Sequence, residues 1–194
     1  MKIGVVSDIH CNAAGLMAAL DRLAGADEIL CLGDSILEFR FSNEVAAILR
    51  ERAALVIHGN HEEVFFGPQG ARARAGKDID ADLAGWLAAQ PRERLLMREG
   101  RRIRMIHSTP WQPRGEYIFP TSPDFARMGD CDADILLYGH THHAIVARLG
   151  ETLVVNPGSA GEPRGIGVNA LMSCALLDLA SGAAQIIRYE APRV

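Results

Sequence analysis

Five short segments carry most of the side chains in this sequence that could do chemistry: Asp8-Ile9-His10, Gly33-Asp34, Gly59-Asn60-His61-Glu62, Ile106-His107-Ser108 and Gly139-His140-Thr141-His142. Each follows a run of apolar residues. Together they offer two aspartates, one asparagine and four histidines as metal donors, namely Asp8, His10, Asp34, Asn60, His107, His140 and His142. Oxygen and imidazole donors suit Mn, Fe, Zn, Co or Ni better than a thiolate-seeking metal. The set is enough for two divalent ions and is read as a dinuclear site. In an extended strand end, residues i and i+2 point to the same side, so Asp8 with His10, and His140 with His142, would each clamp one ion. Two ions about 3.5–4 Å apart can share a hydroxide, lower the pKa of its parent water and polarise phosphoryl oxygens.

Elements must hold these segments in place. Lys2 to Ser7 reads as a strand, and Ala13, Leu16, Met17, Leu20 and Leu23 recur at helical spacing. Glu28 to Leu32 predicts a second strand, Glu44 to Arg52 a second helix and Leu55 to Ile57 a third strand. Alternation of this kind implies a parallel sheet whose ligands gather beyond the carboxyl ends of the strands. Gly67 to Lys77, rich in Gly, Arg and Ala, predicts a mobile surface loop, and Asp80 to Gln90 a helix closed by Pro91. Leu95 to Met97, Arg102 to Ile106, Ile135 to Tyr138, Ala144 to Leu149, Thr152 to Asn156, Leu171 to Leu177 and Gln185 to Tyr189 predict strands, with a short helix around Pro123 to Met128. Two sheets packed face to face with helices outside is the simplest way to bury both halves.

The chain has 194 residues and is 48% hydrophobic, which suffices for one domain with a real core over residues 1–194. No apolar run approaches the roughly 20 residues needed to span a bilayer, and the N-terminus opens on a strand-like segment where a signal peptide would stand. The expectation is a soluble, cytoplasmic protein. A net charge of -4 leaves no strong nucleic-acid footprint, and the run Arg92, Arg94, Arg98, Arg101, Arg102 and Arg104 reads as a solvated hairpin face. Cys11, Cys31, Cys131 and Cys174 are widely spaced and fit reduced thiols. Apolar residues on short loops are compatible with a homodimer.

The order and spacing of the five segments resemble the calcineurin-like metallophosphoesterase superfamily, and the resemblance covers nearly the whole chain. It implies an α/β (α+β) fold, a four-layer αββα sandwich of two mixed β-sheets flanked by helices. It also implies Asp8, His10 and His142 on one metal, Asn60, His107 and His140 on the other, and Asp34 bridging both. Manganese is the first expectation for the ions, with Fe, Zn, Ni and Co as alternatives. His61 resembles the family's general acid to the leaving oxygen, with Glu62 orienting it or a neighbour. The stretch Asn156 to Arg164 resembles a loop of a small bacterial and archaeal phosphodiesterase branch. There Arg164 would neutralise a phosphate, or stand exposed on a structural turn.

The chain also departs from the family pattern. Ser35 to Phe41 stands where relatives often have a Gly-Pro-rich stretch, and His107-Ser108 where many have His-Gly. The Asp-Arg-Gly element of the protein serine/threonine phosphatases is absent, which disfavours that activity. Trp111, Tyr117 and Phe119 read as loop anchors or an oligomer contact, or as a base-stacking wall. His58 and His143, outside the matching positions, read as supporting or surface residues. The resulting expectation is a metal-dependent phosphodiesterase acting on a small phosphoester substrate. A phosphomonoesterase is the enzymatic alternative. A non-catalytic protein-binding scaffold, a use some members make of the fold, is the alternative from another class.

Overall fold

The structure, a computed structural model, describes residues 1–165 and 170–192. Two five-stranded mixed sheets form its centre. The first contains β1 (Lys2–Val6), β2 (Glu28–Cys31), β3 (Leu55–Val56), β9 (Leu171–Asp178) and β10 (Ala183–Glu190), in the order β10-β9-β1-β2-β3. The second contains β4 (Arg94–Arg98), β5 (Arg101–Met105), β6 (Ile135–Leu137), β7 (Ile145–Leu149) and β8 (Thr152–Asn156), in the order β4-β5-β6-β8-β7. Within the first sheet β1, β2 and β3 run parallel, with Ile3 opposite Glu28 and Leu30 opposite Leu55. Within the second β5, β6 and β8 run parallel, with Ile103 opposite Ile135 and Ile135 opposite Leu153.

Alternation along the strands builds the layers. Ile3, Val5, Leu30, Ile103, Met105, Ile135, Leu137, Leu153 and Val155 meet in the cluster between the sheets. Val6, Cys31 and Val56 face the other way, against Leu16 and Leu20 of α1 (Ala13–Arg22), Val45 and Leu49 of α2 (Asn43–Glu51), Phe65 of α3 (Asn60–Phe66) and Leu87. Leu16 and Leu49 are fully buried, so truncating either to Ala costs about 2–5 kcal/mol. On the outer face of the second sheet, Leu136, Tyr138 and Val154 pack on Ile118 and Met128. The fourth layer there is thin, a 3₁₀ helix (Pro123–Gly129) with the loop before it.

Two local expectations change. Gly67 to Lys77 is not a mobile loop: it holds a 3₁₀ turn (Pro68–Gly70) and α4 (Ala71–Arg74). The Arg74 guanidinium donates to the carbonyls of Phe65 and Gly67, satisfying open groups at the end of α3, a polar anchor that an apolar pattern does not reveal. The helix α3 itself was not expected. Its signal was half of a capping box: Glu62, three residues after the N-cap Gly59, accepts the Gly59 N–H at 2.9 Å. The helix expected over Asp80 to Gln90 is α5 (Ala81–Ala88), N-capped by Asp80. Among the described residues no helix is long and apolar enough to cross a membrane.

Candidate metal centre

The five chemical segments emerge where the parallel strands of the two sheets end. Asp8 follows β1, Asp34 follows β2, Asn60 opens the helix after β3, His107 follows β5, and His140 and His142 follow β6. Ladder bonding continues past the strands: Asp8 N–H donates to Gly33 O at 3.0 Å, and the Ile9 and His10 amides both donate to Asp34 O at 2.8 and 2.9 Å. The backbone there is not extended. Asp8, His10, Asp34, His140 and His142 all have positive φ, between 51° and 66°. The expected i, i+2 alternation is therefore corrected: the donors converge because left-handed residues turn each chain end inward. Such residues cost of order 1–3 kcal/mol each and persist where their surroundings over-determine them.

The surroundings do so in three ways. Glu62 is fully buried and accepts from Gly59 N, Asp34 N, Ser35 N, Ser35 Oγ and Ile36 N at 2.5–3.2 Å, tying the Asp34 loop to α3. It holds the neighbouring loop and does not orient His61. Close approach excludes side chains at two glycines: a Cβ on Gly59 would lie 2.1 Å from Asp34 Oδ1, and one on Gly139 would lie 2.1 Å from Ser7 Oγ. The loop from Asn156 to Arg164 works as a clamp. Its Ala160 and Gly161 amides donate to Ser7 O and Asp8 O, Ser159 Oγ donates to Asp8 O at 2.6 Å, and Asn156 Nδ2 donates to Gly139 O at 2.7 Å. Arg164 Nη2 donates to Thr141 O at 2.7 Å, beside the last candidate ligands.

Three donor groups result, each with ligand atoms within 4.8 Å of one another: Asp8, His10 and His142; His10, Asp34 and His61; and Asp34, His107 and His140. Asn60 joins the last group, its Oδ1 standing 3.1 Å from His107 Nε2. Asp34 Oδ1 accepts the backbone N–H of His61 at 2.9 Å, which leaves Oδ2 facing His107 Nε2 at 3.1 Å and His61 Nε2 at 3.6 Å. His10 Nε2 and His142 Nε2 face each other at 3.0 Å.

These residues fit divalent cations. Among the described residues Asp8 Oδ1 and His10 Nδ1 are buried without a hydrogen-bond partner, and two imidazole nitrogens aimed at one point want a cation between them. The charge balance agrees. Burial disfavours a charge on Asp34, but the imidazolium of His107 and its hydrogen bond hold the carboxyl well below the usual range. For His107, burial lowers proton affinity, but the Asp34 charge and hydrogen bond win and push it up to about 10. A proton thus sits where a metal would neutralise the same carboxylate. His10 and His140 are lowered, first by burial, and so keep lone pairs for a ligand.

The family model for the calcineurin-like phosphoesterase superfamily domain matches residues 1–182. The chain belongs to this superfamily. It is similar to an uncharacterized protein of Methanocaldococcus jannaschii, 29% identical over 97% of this chain and 87% of that protein. It is also similar to the phosphodiesterase YfcE of Escherichia coli, 26% identical over 85% of this chain and 82% of that one. Among solved structures, a metallophosphoesterase from Sphaerobacter thermophilus overlays with a TM-score of 0.79 at 21% identity, over 99% of this chain and 90% of that one. Vps29 of Entamoeba histolytica, in a complex with zinc, overlays with a TM-score of 0.59 at 22% identity, over 97% and 98% of the chains. The fold is that of the superfamily, an α/β sandwich.

All seven candidate ligands and His61 thus meet in one cluster, and Arg164 lines a groove beside His140 and His142. Sequence reasoning missed Glu38, whose Oε2 lies 3.0 Å from His61 Nδ1, close enough for an ion pair but not aligned as a hydrogen bond. Its only signal was its place in Ser35 to Phe41, the stretch where the chain departs from its relatives. His58 is structural: its Nε2 bonds Leu87 O at 2.8 Å and its ring stacks on Phe66.

Proposed function

We propose that residues 1–194 act as one cytoplasmic phosphodiesterase domain that works with two divalent ions, manganese first. Asp8, His10 and His142 would hold one ion, Asn60, His107 and His140 the other, and Asp34 would serve both. The observation that carries this reading is the membership of Asp34 in two donor groups, one with His10 and His61 and one with His107 and His140. When bound, such an ion pair acidifies water and polarises phosphoryl oxygens for in-line displacement.

The chain's own residues supply the remainder. His61 sits over Asp34 with Nδ1 turned to Glu38, so its Nε2 is the nitrogen that hands a proton to the departing oxygen. Glu38 positions the ring. Arg164, held by Thr141 O through one nitrogen, presents its remaining N–H groups to the phosphate. A monoester dianion would need more positive charge than this cleft offers, so diesters are preferred. The intact donor set and the presence of His61 favour an enzyme over a protein-binding scaffold.

The deciding experiment measures metal content and kcat/KM for a matched aryl diester and aryl monoester on manganese-loaded protein. Two ions per chain and a diester preference support the reading. A monoester preference makes the protein a phosphomonoesterase, and no turnover of either at full metal load returns the scaffold.

A further inference from the structure

Three aromatic residues on the loop after His107 have different fates. Trp111 is engaged: its Nε1–H donates to Glu116 at 2.7 Å, the Arg127 guanidinium covers its ring at 4.3 Å, and it packs on the core beneath the second sheet. Phe119 turns its edge to His143. Tyr117 lies with one face on the His140 ring, centroids 4.0 Å apart and planes 27° from parallel, yet it remains 59% exposed. The other two tyrosines, Tyr138 and Tyr189, are buried and donate their hydroxyls to Ile118 O and Gly15 O. A tyrosine that served only to anchor the loop would be buried in that manner.

The position of Tyr117 is fixed in advance. Ser108 Oγ accepts the Gly115 N–H at 2.8 Å, and the Gly115 carbonyl accepts Nε2–H of His140 at 3.1 Å. The loop is therefore pinned two residues before the ring, on a candidate ligand, by a serine that stands where many relatives carry glycine. The exposed ring lines an open groove of about 480 Å³, shared with His140, His142, Glu162, Pro163 and Arg164.

From this geometry we infer that the outer face of Tyr117 is a stacking platform for a planar aromatic substituent of the phosphoester, an aryl ring or nucleobase. The inference rests on the phosphoester reading above and adds the substrate class. A rigid ring with one face already seated on His140 takes a second flat group with little ordering cost, and stacking is tolerant of which base is offered. Arg164, in the same groove, meets the phosphate charge. His61 groups with His10 and Asp34 while Tyr117 lies against His140, which groups with Asp34 and His107, and on the present inference the stacked group takes the side opposite the proton donor. It is the substituent that phosphorus retains, and the monoester product keeps it.

The test is binding of adenosine 5′-monophosphate and of ribose 5-phosphate to zinc-loaded protein, followed by calorimetry and proton NMR. The expected result is about tenfold tighter binding of the nucleotide and an upfield ring-current shift of its base protons. In Tyr117→Leu the difference disappears and in Tyr117→Phe it stays, with zinc content determined for each. Equal affinities in the wild type, or base protons that do not shift, overturn the inference without any variant. A preference that persists in Tyr117→Leu does the same. Diester hydrolysis distinguishes the two readings. Nucleotide stacking without turnover would remove the proposed activity alone, and turnover with no preference would remove the platform alone.

Discussion

The two halves of the candidate metal centre are built to different standards. On the Asn60, His107 and His140 side, the outward nitrogen of each imidazole is tied to a backbone carbonyl: His107 Nδ1–H donates to Leu32 O at 2.7 Å and His140 Nε2–H to Gly115 O at 3.1 Å. Asn60 is fixed by the first turn of α3. On the Asp8, His10 and His142 side, His10 Nδ1 has no hydrogen-bond partner among the described residues, and His142 Nδ1 lies 3.4 Å from Glu162, whose side chain is 56% exposed. All three donors there stand on left-handed backbone. Outer partners of this kind set tautomer and ring orientation, and losing one typically costs 10–100-fold in metal affinity. The comparison teaches that one ion should be held by a preset cage and the other by a site that settles around it.

The largest expected effect belongs to the residue the halves share. Asp34→Asn should lower diester turnover by about 10³-fold or more, and Asn60→Ala by less, because the asparagine serves one ion. Two metals per chain with near-normal turnover in Asp34→Asn would mean that the halves do not share a ligand. Next in size is His61→Ala. It should lose about 10²–10⁴-fold on alkyl diesters and visibly less on activated aryl diesters, with metal content unchanged in both halves. Parallel leaving-group slopes, or the loss of one ion, would place His61 in the looser half as a ligand.

Calorimetric titration sharpens the contrast directly. Two binding steps should differ by about 10–100-fold, the tighter one lost in His107→Ala and the weaker one in His10→Ala. The reverse assignment would break the comparison. The pH dependence has a definite sign. Without metal, His107 binds its proton up to about 10, burial opposing and the Asp34 charge prevailing. An ion must displace that proton, so uptake at neutral pH should release about one proton per chain. Affinity should then rise up to about tenfold per pH unit until it levels near that value. The same raised proton affinity stabilises the metal-free fold below about 6.5, the ordinary histidine value, and that contribution is lost as pH climbs through the folded value. Heat denaturation of metal-free protein across that window measures it. The smallest effect is that of Glu38→Gln, about three- to tenfold on alkyl diesters with both metal steps intact. An unchanged rate would show that the His61 ring is held without it.

Much of this site was legible in the sequence because each ligand segment follows an apolar run whose alternation marks a buried strand. The matching order of five such segments then located Asp8, Asp34, Asn60, His107, His140 and His142 at strand ends. Hydrogen bonds between distant loops leave no such trace. The positive φ of Asp8 is held by bonds from Ser159 Oγ to its carbonyl and from the His140 N–H to its carboxylate, both more than a hundred residues away, so alternation misread it as extended. Glu38 was hidden for the same reason, since its partner lies across the cleft. In the fold, the strands of both sheets were foreseeable, but the return of β9 and β10 to the first sheet depends on pairing with β1, which no local pattern encodes.

Glu62 joins these parts into something that opens and closes as a unit. One carboxylate, at the heart of the first helical turn of α3, accepts amides from Gly59, Asp34, Ser35 and Ile36. Unwinding that turn would release Asp34, Asn60 and His61 in a single opening. In native-state hydrogen exchange those four amides should therefore report one common free energy of opening, rather than a graded series from loop to helix. A state in which the first turn of α3 is open while the Asp34 loop stays in place should be scarcely populated. The protein should pass between fully armed and disarmed in one cooperative step.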